Sequence, residues 1–301
     1  MHAWSARYSR RRFLTTATGL TGMSMLGACG RKAETVSADD PAAVGPSGPS
    51  PGTLEWATAG EWRTPEDKGR DVWRHPVQSL RFWGLKPGMT VLEFWPGSGW
   101  YSDIIAPYLA RSGGKLIAAQ FQQTDPVLAA IVERYRKTMA ARPGLYGEPV
   151  LTSFGPTSGE AAPAGTVDLV LFPSVIHNLM MAGTADKAFR EAFKALKPGG
   201  HVGVEEHRAP AGGVQDVLAT QGYVQEDYVK RLAADAGLRF DAASEINANP
   251  KDSHDHPFGV WTLPPTRQSA PTGQPDDLKF DHAKYDAVGE SDRMTLRFVK
   301  P

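Results

Sequence analysis

Apolar positions follow two alternating rhythms from about residue 64 to the end of the chain. Short apolar runs at 90–94, 115–120, 167–172 and 201–206 read as buried strands. Between them lie longer stretches of helical period, at about 101–110, 125–140, 185–196 and 226–236. In the second of these, Val127, Leu128, Ile131 and Val132 share one side. Thr64-Pro65-Glu66-Asp67 starts an earlier helix, with proline in the first turn and acids at the positive end of the dipole. That helix carries Arg70, Asp71, Trp73 and Arg74, and a second helical piece covers 77–83. A short strand is expected at 149–152, another at 239–246, and an alternating one at 294–299. Strands alternating with helices imply a largely parallel sheet covered on both faces.

Ligands in such sheets bind beyond the carboxyl ends of the strands, where strand order reverses. Three loops therefore draw attention. The first follows Val91-Leu92-Glu93-Phe94 as Trp95-Pro96-Gly97-Ser98-Gly99. Gly97 and Gly99 permit backbone angles a Cβ forbids, and the following helix turns free N–H groups toward a ligand. The second loop carries Ser174-Val175-Ile176-His177-Asn178, and the third carries Glu205-Glu206-His207. All three should converge.

The segment before residue 57 changes the picture. Ser9-Arg10-Arg11-Arg12-Phe13-Leu14 leads a weakly apolar run and then Leu26-Gly27-Ala28-Cys29. The first element resembles a twin-arginine export signal, and the last resembles a bacterial lipoprotein box with Cys29 as the acylated residue. The run is too short and too rich in Thr, Ser and Gly to span a bilayer comfortably. The organisation expected is a signal peptide at 1–28, a Pro/Gly/Ser-rich flexible tether at 29–56 and a folded domain at 57–301. The expected partners are the twin-arginine export machinery and a membrane, reached through the lipid on Cys29. The location is outside the cytoplasm, facing the periplasm or cell exterior.

Over 301 residues, 33 basic and 33 acidic side chains cancel, so no electrostatic footprint for nucleic acid exists. The single cysteine excludes an intramolecular disulfide, a thiolate metal cluster and a cysteine nucleophile in the domain.

Residues 91–101, the strand at 167, the turn Leu196-Lys197-Pro198-Gly199-Gly200 and the strand after it resemble the seven-stranded S-adenosylmethionine-dependent methyltransferases. The similarity covers roughly residues 60–250. More narrowly, Arg70-Asp71, Trp95-Pro96-Gly97-Ser98-Gly99-Trp100-Tyr101, Asn247-Ala248-Asn249-Pro250-Lys251-Asp252, the stretch at 259–265 and Gly289-Glu290-Ser291-Asp292-Arg293 are similar to a group of exported bacterial proteins known as predicted methyltransferases. The resemblance implies an α/β fold with a Rossmann-like, seven-stranded, mostly parallel sheet, helices on both faces and the last strand antiparallel. It implies S-adenosylmethionine as cofactor, held by Glu93, Trp95, Gly97, Gly99 and Gln120. Two positions depart from the family pattern. Trp95 stands where the family has glycine, and Gln120 stands where it has an acid for the ribose hydroxyls.

His177 and Glu206 are the candidates for placing or deprotonating a small acceptor of unidentified structure, since a neutral imidazole accepts a proton near neutral pH. The plainer readings are a hydrogen-bonded loop cap for His177 and Asn178, and a salt bridge from Glu205-Glu206 to Arg208, Arg70 or Arg74. Asn178, Asn247 and Trp261 are candidates for contacting substrate, with loop packing as the alternative. His254-Asp255-His256 lacks a third ligand at metal spacing, so no metal is expected. Glu290-Ser291-Asp292-Arg293 reads as a lock on the last strand. Three functions fit: exported methyl transfer, a non-catalytic binding lipoprotein on a methyltransferase-like fold, and a nicotinamide-dependent oxidoreductase. The Leu-Lys-Pro-Gly-Gly turn and the missing second-strand acid oppose the last.

Overall fold

A computed structural model of the chain describes residues 48–123 and 125–301. The expected export leader, Cys29 and most of the expected tether lie outside the described residues. No helix among the described residues is long and apolar enough to cross a membrane.

Seven strands form one sheet: β1 (Thr90–Phe94), β2 (Lys115–Phe121), β3 (Val150–Phe154), β4 (Val167–Pro173), β5 (Leu196–His207), β6 (Arg239–Ser244) and β7 (Arg293–Val299). Their order is β3-β2-β1-β4-β5-β7-β6. β1 runs parallel to β2 and β4, and β4 parallel to β5. β7 is antiparallel to both β5 and β6. The chain steps outward from β1 in both directions, so strand order reverses between β1 and β4. That reversal leaves a crevice above their carboxyl ends. The Rossmann-like α/β expectation, including the antiparallel last strand, holds.

The helices are α1 (Leu54–Ala59), α2 (Pro65–Gly69), α3 (Asp71–Arg74), α4 (Pro76–Phe82), α5 (Ser102–Ala110), α6 (Pro126–Ala140), α7 (Pro143–Tyr146), α8 (Ile176–Met181), α9 (Ala185–Ala195), α10 (Glu226–Asp235) and α11 (Ala283–Asp286). Alternation along the strands divides the core in two. Leu92, Phe94, Val170, Phe172, Val202 and Val204 face one layer with α8, α9 and α10. Val91, Ala118, Leu169 and Leu171 face the other, with α1, α4 and α5.

Order begins earlier than expected. Thr53 Oγ1 accepts the Trp56 amide and caps α1, and Leu54 and Ala57 are buried, so the tether stops short of residue 56. The single helix expected from residue 64 is two, broken at Arg70. In α6, the Asp125 carboxylate accepts from the Val127 and Leu128 amides, with Pro126 in the first turn. The buried side of α6 is Leu128, Val132, Tyr135 and Met139. Val127 and Ile131, expected on that side, border a cavity, and Ile131 also packs against the core. The Leu-Lys-Pro-Gly-Gly turn is an excursion inside β5: Val167 pairs with Leu196 and Leu169 with His201, so residues 197–200 loop out. Gly199 takes φ 75° there.

Candidate functional site

The three loops do converge. A cavity of about 490 Å³ opens above the β1/β4 reversal, walled by Gly97 and Ser98, by His177 and Asn178, and by His207. Trp261 and Pro264 to Thr266 form one side, and Pro126, Val127, Ala130, Ile131 and Arg134 of α6 form another. Arg70, Arg74 and Arg293 also reach the wall.

β5 carries two adjacent acids to the carboxyl end, and the strand sends them to opposite faces. Both are fully buried. Glu206 turns to α8: its Oε1 lies 2.8 Å from His177 Nδ1, and its Oε2 accepts the His177 amide at 3.1 Å. The same Oε1 accepts the His207 amide at 2.8 Å. The carboxylate therefore fixes both the backbone and the ring of His177. With Nδ1 protonated toward Glu206, the His177 lone pair sits on Nε2. Nε2 makes no hydrogen bond among the described residues, and the ring lines the cavity. Trp261 closes over it, with ring centroids 6.1 Å apart. His207 stands beside His177 at 5.0 Å between centroids, its Nδ1 2.5 Å from Ser291 Oγ. Burial, then the neighbouring His177, Arg293 and Arg74, push the His207 pKa well below the ordinary imidazole value, so it is neutral.

Glu205 turns the other way. Its Oε2 accepts from Tyr101 Oη at 2.6 Å, and its Oε1 lies 3.3 Å from Arg293 Nη1. The salt bridge expected between these acids and Arg70, Arg74 or Arg208 does not form. Arg70 Nε and Arg74 Nε donate to Glu290, at 2.6 and 2.8 Å, and Arg293 pairs with Glu290 as well. Burial alone would raise the Glu290 pKa, but Arg74, Arg293 and Arg70 outweigh it and hold it well below the carboxylate range. Arg208 instead grips Asp292 and Glu245.

Glu93 lies at the cavity floor, 1% exposed, accepting from Ser102 Oγ at 2.6 Å. Burial raises its pKa to about 7, the Ser102 hydrogen bond only partly opposing this. Trp95 takes φ 46°, a left-handed angle that glycine adopts more readily than tryptophan. Its indole runs over the ends of β2 and β3, packs 5.0 Å from Phe121 and donates from Nε1 to the Phe154 carbonyl at 2.9 Å. It is 4% exposed and borders the cavity. Trp100 is held between the Arg63 and Arg74 guanidinium groups, at 5.1 and 4.9 Å.

Four sequence candidates take other places. Gln120 is buried below the loop, its Nε2 3.4 Å from the Gly97 carbonyl, and does not line the cavity. Its Oε1 is buried without a hydrogen bond. Gly99, at φ 95°, packs against Tyr135, whose ring lies 3.1 Å from where a Cβ would stand. The positive φ requires a glycine there, and the close Tyr135 ring adds to that requirement. Asn247 is a latch, donating through Nδ2 to Ser79 Oγ and Thr295 Oγ1, both at 2.9 Å. Glu206 acts from behind His177 rather than at the wall. Arg74, Arg293 and Ser291 were not singled out as site residues. Ser291 and Arg293 carry the signal of the charged run at 290–293, which reads as a strand lock and is one too, and Arg74 carries only that of a basic residue on the helix after Thr64.

His177, Glu206 and His207 each offer a ligand atom within 4.8 Å of the others. Both Glu206 oxygens already accept hydrogen bonds, and Arg293 and Arg74 make the surroundings unfavourable to a cation. His256 is not ligand-like: Nε2 sits 2.8 Å from the buried Asp252, which also accepts from Tyr223 Oη.

No family model matches the chain. It is similar to the solved structure of a SAM-dependent methyltransferase from Aquifex aeolicus, at 23% identity over 60% of this chain and 89% of that one, TM-score 0.45. It is similar to the [4+2]-cyclase SpnF at 17% identity over 81% and 85% of the two chains, TM-score 0.48. Phosphoethanolamine N-methyltransferase 2 of Haemonchus contortus, in complex with S-adenosyl-L-methionine, is 14% identical over 76% of this chain and 53% of its own, TM-score 0.45.

Proposed function

We propose that this cavity binds S-adenosylmethionine beside a small acceptor and catalyses methyl transfer. The observation that carries the reading is the His177 and Glu206 pair, buried and 2.8 Å apart, opening on the same cavity as the Gly97 loop and Glu93. The wall suits the donor in two places. Glu93 and the loop at Gly97 and Ser98 offer polar groups for the amino-acid end. Pro126, Val127, Ala130 and Ile131 offer an apolar strip for the nucleoside. Gln120 is not among the lining residues, and Trp95 is.

The bound donor would supply a sulfonium methyl group for in-line displacement. The chain's own part is placement and proton transfer. Glu206 sets the His177 ring and tautomer, so that Nε2 faces the acceptor and takes its proton. Trp261 and the prolines beside it limit water. Positioning of two reactants supplies much of the acceleration in such a transfer.

Calorimetric titration of the full chain with S-adenosylhomocysteine tests the binding. Saturable binding is expected, and no binding by folded protein overturns the reading. We further propose export by the twin-arginine route and a lipid on Cys29. A Cys29→Ser variant that still fractionates with membranes, and takes up labelled palmitate as before, would refute the anchor.

A second reading is favoured by Trp95 and Gln120. The indole covers the ends of β2 and β3, and the amide is turned away from the cavity. A binding lipoprotein that kept the fold for another ligand fits both, and it avoids the need for a cytoplasmic donor outside the cytoplasm. Mass spectrometry of small molecules co-purifying with the exported form separates the two.

A further inference from the structure

Cations outnumber carboxylates around the cavity. Arg70, Arg74, Arg134 and Arg293 all reach its wall. Behind them, Arg70, Arg74 and Arg293 share Glu290. Glu205 serves Arg293 but is also taken by Tyr101. Arg134, across the cavity on α6, pairs with no carboxylate among the described residues. Glu206 adds no charge to the wall itself, since it does not line the cavity and its oxygens are committed to His177 and two amides. Glu93, the remaining acid at the wall, is buried and retains its proton up to about pH 7.

A sulfonium donor makes the imbalance worse. Its ammonium and carboxylate cancel, and the sulfonium adds a positive charge to a wall already in excess. Inside such a cavity charges are less well screened than in bulk water, so a second ligand that carries a negative charge is favoured. The polar groups at that end are suited to receive one. Guanidinium forks match carboxylate and phosphate oxygens. Ser291 and the neutral His207 stand next to Arg293 and His177.

We propose that the acceptor is a small anion, bearing a carboxylate or phosphate group that is held by Arg74 and Arg293 while its nucleophilic atom faces His177. This rests on the reading of the cavity as a methyl-transfer site. The donor's own carboxylate is the competing source of negative charge, and the test separates the two.

Phenyl phosphate, benzoate, phenol and benzylamine are titrated into the full chain, alone and after saturation with S-adenosylhomocysteine. Phenyl phosphate or benzoate should bind about tenfold or more tightly than phenol or benzylamine, and should keep binding in the saturated protein. Arg74→Gln, shown folded by circular dichroism, should weaken the anion by about tenfold. The exposed Arg134→Gln should weaken it by a smaller factor and provides a variant with little risk to folding.

Equal binding of the neutral or cationic probes overturns the proposal. So does displacement of the anions by S-adenosylhomocysteine, which would assign the arginines to the donor carboxylate. Failure of both anions to bind at millimolar concentration, or unchanged affinity in both variants, also overturns it. Anion binding by a protein that ignores S-adenosylhomocysteine removes the methyl-transfer reading and leaves the anion site standing.

Discussion

Trp95 holds a backbone angle that its side chain disfavours, and the indole is what keeps it there. Turning the chain sharply out of β1 at φ 46° costs on the order of 1–2 kcal/mol for a residue with a Cβ. Burial against Phe121 and Phe154, with the Nε1 hydrogen bond, more than offsets that. Trp95→Gly should therefore lose about 2–4 kcal/mol of stability in urea unfolding, despite relieving the turn. Glu93 gives a second test. Its carboxyl titrates near 4.5 in the unfolded chain and at about 7 in the fold. The folded state keeps a proton that the unfolded state releases, so stability falls as pH rises from about 4.5 to 7. Glu93→Gln should remove that slope, gaining about 2–3 kcal/mol over wild type at pH 8 and little at pH 4. Under the proposed reading, alanine substitution at His177 should lower methyl transfer by about 10²–10⁴-fold in steady-state assays, and it should also lower the urea midpoint, because Glu206 is left buried without its imidazole partner. His177 was legible in the sequence because it follows a strand at the ligand end of the sheet. Its pairing with Glu206 was not, since 29 residues separate them and only the β4/β5 register brings them together.

Among the elements, the long periodic ones were readable and the short ones were not. The helix α8 has six residues, and Ile176, His177, Asn178, Leu179 and Met180 are all buried. A helix enclosed on all sides has no polar face to set a period, so its sequence reads as a loop. The break between α2 and α3 escaped for a related reason: two short turns in succession keep the spacing of one helix. β5 shows how closely one element is fitted to another. Gly203 lies beneath Trp83, and a Cβ there would stand 2.4 Å from the indole Cγ. Gly203→Ala should cost about 1–3 kcal/mol by overpacking, measured as a drop in urea midpoint with an unchanged slope.

The whole molecule is tied together by charges from its two ends. Arg70 and Arg74, from the helices before the sheet, meet Glu290 and Arg293 at the start of its last strand. Removing the shared carboxylate leaves buried guanidinium groups with too few partners. Glu290→Gln should destabilise the fold by about 3–5 kcal/mol at pH 7. The folded pKa of Glu290 lies below its unfolded value, so its contribution is complete above about pH 4.5 and is lost as pH falls further. The gap between wild type and Glu290→Gln should therefore narrow steadily under acid, in denaturation curves taken from pH 7 to pH 3.

The sequence by itself determined the class of fold and the end of the sheet that carries the cavity. Strand runs, helical periods and the glycine loop are local patterns, written by rules that act over a few residues. It also placed His177, Glu206, His207, Trp261 and the glycine loop near one crevice. Tertiary structure alone decided the partners and the directions of these side chains. It turned Gln120 under the loop and Asn247 into a latch, laid Trp95 across β2 and β3, and left four arginines around a cavity in a chain whose formal charge is zero. Those outcomes depend on register and packing between segments as far as 220 residues apart, which no local pattern records.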